Sequence, residues 1–123
     1  MLTLPASVRV YMAAEPVDLR RGHDGLVALV RGVWSLNPYD GHLFVFFGKR
    51  ADRVKILYWD RNGFVVHYKR LSQGRFRMPP GARGAERVEL DATELAMMLD
   101  GIDTSHVRRP KRWSPPLADD AAE

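Results

Sequence analysis

The spacing of apolar and polar positions changes several times along this 123-residue chain, and each change marks an element. Positions 8–12 have strand composition, and the segment "EPVDLRRGHDG", with Pro16, Gly22 and Gly25, interrupts them. Leu26, Val27, Leu29, Val30, Val33 and Trp34 then recur at helical offsets, which predicts a helix packing an apolar stripe on a sheet, with Asp18 or Asp24 as its N-cap. "LNPYDG" ends it, because the residue before Pro38 avoids the helical region and Asp-Gly favours a turn. Strands are expected at 42–47, 53–59 and 64–71, with 75–78 a shorter fourth and 87–90 a possible fifth; the short links imply an antiparallel meander. In "DATELAMMLDG", Asp91 as N-cap, Glu94 three residues on and Gly101 as a stop predict a second helix, with Leu95, Met98, Leu99 and Ile102 on its apolar side.

The expected architecture is a single α+β domain over 1–105: an antiparallel sheet of four or five strands with one helix before it and one after. Residues 106–123 lack periodicity and are rich in proline, which predicts a flexible tail, basic from Arg108 to Trp113 and acidic at its end. The turn "DRNG" is read as a three-residue loop with Gly63 left-handed, setting Tyr58 near Val66 and Ile56 near Tyr68. A two-residue turn at Asn62 and Gly63 would instead place Ile56 beside Lys69, mixing core with charge. In the preferred register Val54, Ile56, Tyr58, Phe64, Val66 and Tyr68 share an apolar face. Arg53, Lys55, Leu57, Trp59, Val65, His67, Lys69 and Leu71 share an open, basic one.

Charge sharpens this picture. The chain carries 19 Lys and Arg against 15 Asp and Glu, a formal +4. Between Lys49 and Arg87 eleven bases face three acids, while the remainder is net acidic. Such local asymmetry points to a polyanion, and bases interleaved with an aromatic suit phosphates plus stacked bases. The plainer alternative is that these Lys and Arg keep an open sheet face solvated. The absence of cysteine excludes a disulfide framework and thiolate metal sites. With no long apolar span and no signal-peptide pattern, a cytoplasmic protein with no membrane association is expected.

Catalytic groups are sparse. Asp18, His23 and Asp24 lie close together, but capping and solvation account for them better than a metal does. Asp52, Asp60 and Glu86 could be nominated for a two-metal nuclease, yet Asp60 is explained as a turn former. "FFGKRAD" lacks the spacing of a phosphate loop and reads as a basic hairpin tip. His42 and His67 have no nucleophile partner in a recognisable context. Neither an enzyme nor a cofactor is expected.

The blocks "VYMAAEPVDLRRGHDGLVALV", "PYDGHLFVFFGKRADRVKILYWDRNGFVVHYKRLSQGRFRMP" and "LDATELAMMLDGID" resemble the small accessory protein, often labelled TnpB, of the bacterial insertion-sequence family numbered sixty-six. That protein is distinct from the RNA-guided nuclease of the same label. The likeness covers about 8 to 103 and departs from the family pattern at Asp40 and Ser72. It implies a noncatalytic factor encoded beside a larger DDE-type transposase and assisting DNA transposition. Nucleic-acid contacts are expected from Lys49, Arg50, Arg53, Lys55, Lys69, Arg70, Arg75 and Arg77, with Trp59 stacking or anchoring. The partner is expected to be DNA, with RNA or a single-stranded intermediate as alternatives, and the transposase of the same element. A rival reading makes the chain a module that docks on the transposase without touching nucleic acid, with Trp59 and the arginines as anchors. Oligomeric state is left open.

Overall fold

A computed structural model of the chain describes residues 5, 7–77 and 86–101. In chain order these form β1 (Val10–Ala13), α1 (His23–Ala28) continuing into a π-helical turn (Leu29–Val33), β2 (Leu43–Phe47), β3 (Arg53–Asp60), β4 (Gly63–Arg70), β5 (Arg87–Leu90) and α2 (Ala92–Leu99). The predicted tail at 106–123 lies outside the described residues.

The five strands make one sheet in the order β4-β3-β2-β1-β5. The predicted meander is present as β2-β3-β4, with antiparallel pairing at both links. At β1 the expected all-antiparallel arrangement is corrected: β1 runs parallel to β2, Tyr11 opposite Phe44, and antiparallel to β5. The reason is topological. Parallel neighbours need a long crossover, and the segment holding α1 supplies one between β1 and β2. The fold is thus α+β with a mostly antiparallel, mixed sheet.

All five residues of β2, "LFVFF", are buried. Alternate side chains point to opposite faces, so both faces carry core. On one side Phe44, Phe46 and Leu57 pack with Leu26, Val30 and Trp34 of the α1 region. There the Trp34 and Phe46 rings stack at 5.2 Å between centroids. On the other side Val45, Phe47, Val54 and Ile56 pack with Leu95 and Met98 of α2 and with Phe76. No open sheet face opposes α1, contrary to expectation, because α2 covers it.

The helices repeat the sequence logic with two adjustments. Leu26, Val30 and Trp34 are the buried stripe, four residues apart, but Val33 is 50% exposed. The π-turn, closed by Trp34 N–H donating to the Leu29 carbonyl at 3.1 Å, turns Trp34 inward. Neither Asp18 nor Asp24 caps α1; its N-cap is Gly22, without a side-chain cap bond. At α2 the expected capping box is complete, Glu94 N–H donating to Asp91 Oδ1 at 2.7 Å and Asp91 N–H to Glu94 Oε1 at 3.1 Å. Gly101, at φ +80°, supplies the left-handed stop.

The β3-β4 hairpin forms, but its register is one residue from the expected one. Asp60 faces Gly63, Tyr58 faces Val65, Leu57 faces Val66, and Lys55 faces Tyr68. The link is the two-residue Arg61-Asn62, and the left-handed residue is Arg61 (φ +49°), not Gly63. A two-residue hairpin link fits the strand twist when its first residue has positive φ. One residue of slip exchanges every face on β4: Phe64 and Val66 join Leu57 on the α1 side, while Lys69 and His67 move to the α2 side. The predicted strand at 75–78 is not formed over 75–77, and Met78 lies outside the described residues. Instead Phe76 is buried and its N–H donates to the Ala51 carbonyl at 2.6 Å.

Two substitutions test this architecture. Arg61→Gly should raise stability by up to about 1 kcal/mol in urea unfolding, since it removes the left-handed cost of a residue with Cβ at an exposed turn. Leu57→Ala, at a fully buried site on β3, should lower stability by about 2–5 kcal/mol in the same measurement.

Candidate nucleic-acid interface

The bases gather at one end of the sheet rather than on one face. β2 ends and β3 begins there, joined by a loop in which Ala51 N–H donates to the Gly48 carbonyl at 2.9 Å and Gly48 N–H to the Arg53 carbonyl at 3.2 Å. Ala51 is left-handed (φ +59°), which turns the chain sharply and leaves Lys49 and Arg50 exposed at the tip. Two other segments are tied to the same end. Val17 N–H donates to the Phe47 carbonyl at 2.9 Å, holding the β1–α1 connection against β2. Leu71 N–H donates to the Asp52 carbonyl at 2.8 Å, bringing the end of β4 alongside.

Between them lies a cleft of about 870 Å³ lined by Arg20, Lys49, Arg50 and Arg53, by Asp18 and Asp52, and by Tyr68. Four bases against two acids leave it net positive. Asp18 and Arg20 neutralise each other: the guanidinium donates from Nη2 to Oδ2 at 2.7 Å and from Nε to Oδ1 at 3.0 Å. Arg20 N–H also donates to Oδ1 at 3.0 Å. The Arg20 hydrogen bonds hold the Asp18 carboxyl down at about 2, so it stays charged except in strong acid. Arg53 Nε stands 3.9 Å from Asp52 Oδ1 and has no hydrogen-bond acceptor among the described residues. Lys49 and Arg50 carry no hydrogen bond or ion pair among the described residues, so theirs are the charges free for a ligand.

The other expected contact residues are distributed by the register. Arg53, Lys55 and Arg70 share the α1 side with Tyr68. Lys55 donates to the Arg21 carbonyl at 3.0 Å, and its ammonium lies 5.5 Å from the Tyr68 ring centroid. Lys69 does not share their side. It donates to the Leu99 carbonyl at 2.7 Å, in the last turn of α2, where a cation complements the helix dipole. Arg75 and Arg77 are exposed on the segment after β4. Trp59 is six residues along β3 from Arg53, roughly 20 Å at strand rise. It packs with Phe64 at 4.9 Å and Tyr39 at 5.0 Å between ring centroids. The structure therefore separates Trp59 from the basic end and places Lys69 at that end on the opposite face of the sheet.

Asp18, Arg20 and Tyr68 were not nominated as contact residues from the sequence. Tyr68 was hidden by the register, which assigned it to the buried face. The Asp18-Arg20 pair could have been read from its spacing, since an Asp side chain readily accepts from the backbone two residues on. Among the described residues no group of three or more His, Asp or Glu is placed to hold a metal ion, and no helix is long and apolar enough to cross a membrane.

Comparison with known proteins agrees with the sequence resemblance. Residues 8–109 match the family described as IS66 Orf2 like protein. The chain is 40% identical over 102 residues to protein y4jC of Sinorhizobium fredii (strain NBRC 101917 / NGR234), covering 83% of this chain and 86% of that protein. It is 36% identical over 115 residues to y4hO of the same strain, covering 94% and 96% respectively. No solved structure matches. With its β1 to α2 core inside the matched region and both relatives aligned over most of their length, the chain belongs to the IS66 Orf2-like family of transposition-associated accessory proteins.

Proposed function

We propose that the chain assists transposition of a bacterial insertion sequence by binding nucleic acid, without catalysing a step, and that the binding surface is the basic end of the sheet. The observation carrying this reading is the cleft in which two chain segments place four bases around a common space beside Tyr68 of β4, with Lys49 and Arg50 free of partners among the described residues. Arg53 and Arg70, directly opposite each other on β3 and β4, continue the positive surface, and Arg75 and Arg77 follow it. Contacts of this kind go to phosphates and set position on a strand rather than read its sequence.

A second reading draws on the opposite end of the hairpin. Tyr39 is 49% exposed beside Trp59 and Phe64, an aromatic group of the kind that anchors protein interfaces. Docking on the transposase of the same element through that group is compatible with nucleic-acid binding at the basic end, since the two surfaces are separate.

The affinity of the protein for nucleic acid should fall linearly with salt on a logarithmic plot. Changing Lys49 and Arg50 together to Ala should reduce that slope by roughly 1.4–1.8, two phosphate contacts at about 0.7–0.9 each. Lys69→Ala, on the other side of the sheet, should leave both affinity and slope near wild type. Fluorescence anisotropy titrations across a salt series measure all three proteins. A flat salt dependence, or a double variant that binds as wild type does, would overturn the reading.

A further inference from the structure

We infer that the cleft at the basic end takes an unpaired nucleotide, with Tyr68 stacking on its base while Lys49 and Arg50 hold the flanking phosphates. This rests on the nucleic-acid reading above and narrows it from a polyanion to a strand whose bases are unstacked.

Three observations carry it. The first is size: about 870 Å³ falls within the roughly 300–1,000 Å³ typical of small-ligand sites, room for a nucleotide or two but not for a duplex. The second is the wall. Tyr68 lines the cleft yet is 49% exposed, although an apolar core begins only two residues earlier on the same face at Val66. A ring held open in a cleft among Arg and Lys is what sequence-tolerant single-strand binders use, because every base has a π-face. In duplex DNA that face is already covered by the neighbouring base pairs. The third is how the ring is held. Tyr68 sits on β4 directly opposite Lys55, whose ammonium lies 5.5 Å from the ring centroid while donating to the Arg21 carbonyl. The platform is therefore fixed on a paired strand and flanked by a positioned cation, while the free charges of Lys49 and Arg50 stand on the facing loop.

The arrangement assigns the roles differently from the sequence reading, in which Trp59 was the stacking residue. Trp59 is packed edge-on against both Phe64 and Tyr39 and stands roughly 20 Å along the strand from the cleft. Tyr68 is the aromatic that shares a cleft with the bases.

The test measures anisotropy of labelled 12-nucleotide oligo-dT, oligo-rU and a 12-base-pair DNA duplex on the full chain and on Tyr68→Ala, Tyr68→Phe and Trp59→Ala, each checked for folding by thermal melting. A single strand should bind at least about tenfold tighter than the duplex. Tyr68→Ala should weaken single-strand binding by about tenfold, within the range of one lost base stack, and leave duplex binding unchanged. Tyr68→Phe should restore the preference, because it keeps the ring, and Trp59→Ala should retain it. The dT and rU arms distinguish DNA from RNA, and a tenfold margin with either upholds the inference. Equal binding of strands and duplex, or a Tyr68→Ala variant that binds single strands as wild type does, overturns the inference and leaves the polyanion reading standing. No salt-sensitive binding to any of the three probes overturns both.

Discussion

The constraint on which the structure depends is that β2 is buried on both of its faces and paired along both of its edges. Phe44 and Phe46 point to one side and Leu43, Val45 and Phe47 to the other, and none is more than 5% exposed. Full burial of a side chain of this size is worth about 1.5–3 kcal/mol, so leaving either face open would forfeit several such contributions. Each face therefore needs its own cover, and the chain provides α1 for one and α2 for the other. The central position of β2 also determines its neighbours: β3 arrives through a tight loop, and β1 must lie on the remaining edge, reached through the α1 crossover.

That layering decides where charge can go. Neither face of the central strands has room for a solvated row of Lys and Arg, so the bases are displaced to the sheet's end and to β4, one of its two edge strands. There the last four residues, His67 to Arg70, are exposed. Charged residues on an edge strand also discourage pairing with other chains, since a bare edge is a template for further strands. The local density of Lys and Arg that suggested a polyanion partner thus has one physical origin in the protection of an edge, and the same charges form the surface proposed above for phosphate.

The hairpin of β3 and β4 connects two unlike surfaces. At its base the cleft is charged, with bases and two carboxylates around Tyr68; at its tip Tyr39, Trp59 and Phe64 pack ring against ring. Because the strands between them are fully paired over eight residues each, the two ends are held at a set separation.

Much of the fold was legible from local patterns. The capping box at Asp91 and Glu94, the stop at Gly101, the stripe of Leu26, Val30 and Trp34 and the succession β2-β3-β4 all depend on residues near one another in the chain. Their physics is local: a cap needs a side chain three residues from its partner, and a helix or strand declares itself by its period. The family membership was legible for the same reason, since its motifs are contiguous blocks. What only the tertiary structure decided is sidedness. The covering of the second face by α2 and the parallel placement of β1 depend on burial shared among distant segments. The turn at Arg61 and Asn62 shifted β4 by one residue, which was enough to send Lys69 to α2 and bring Tyr68 to the cleft. Period two reveals that a strand alternates but not which set faces the core, because that depends on where the turn closes and on what covers each face. The cleft has the same character: residues 16–20, 48–53 and 68 meet only because the crossover leaves β1, the β2-β3 loop turns and β4 finishes at the same end of one sheet.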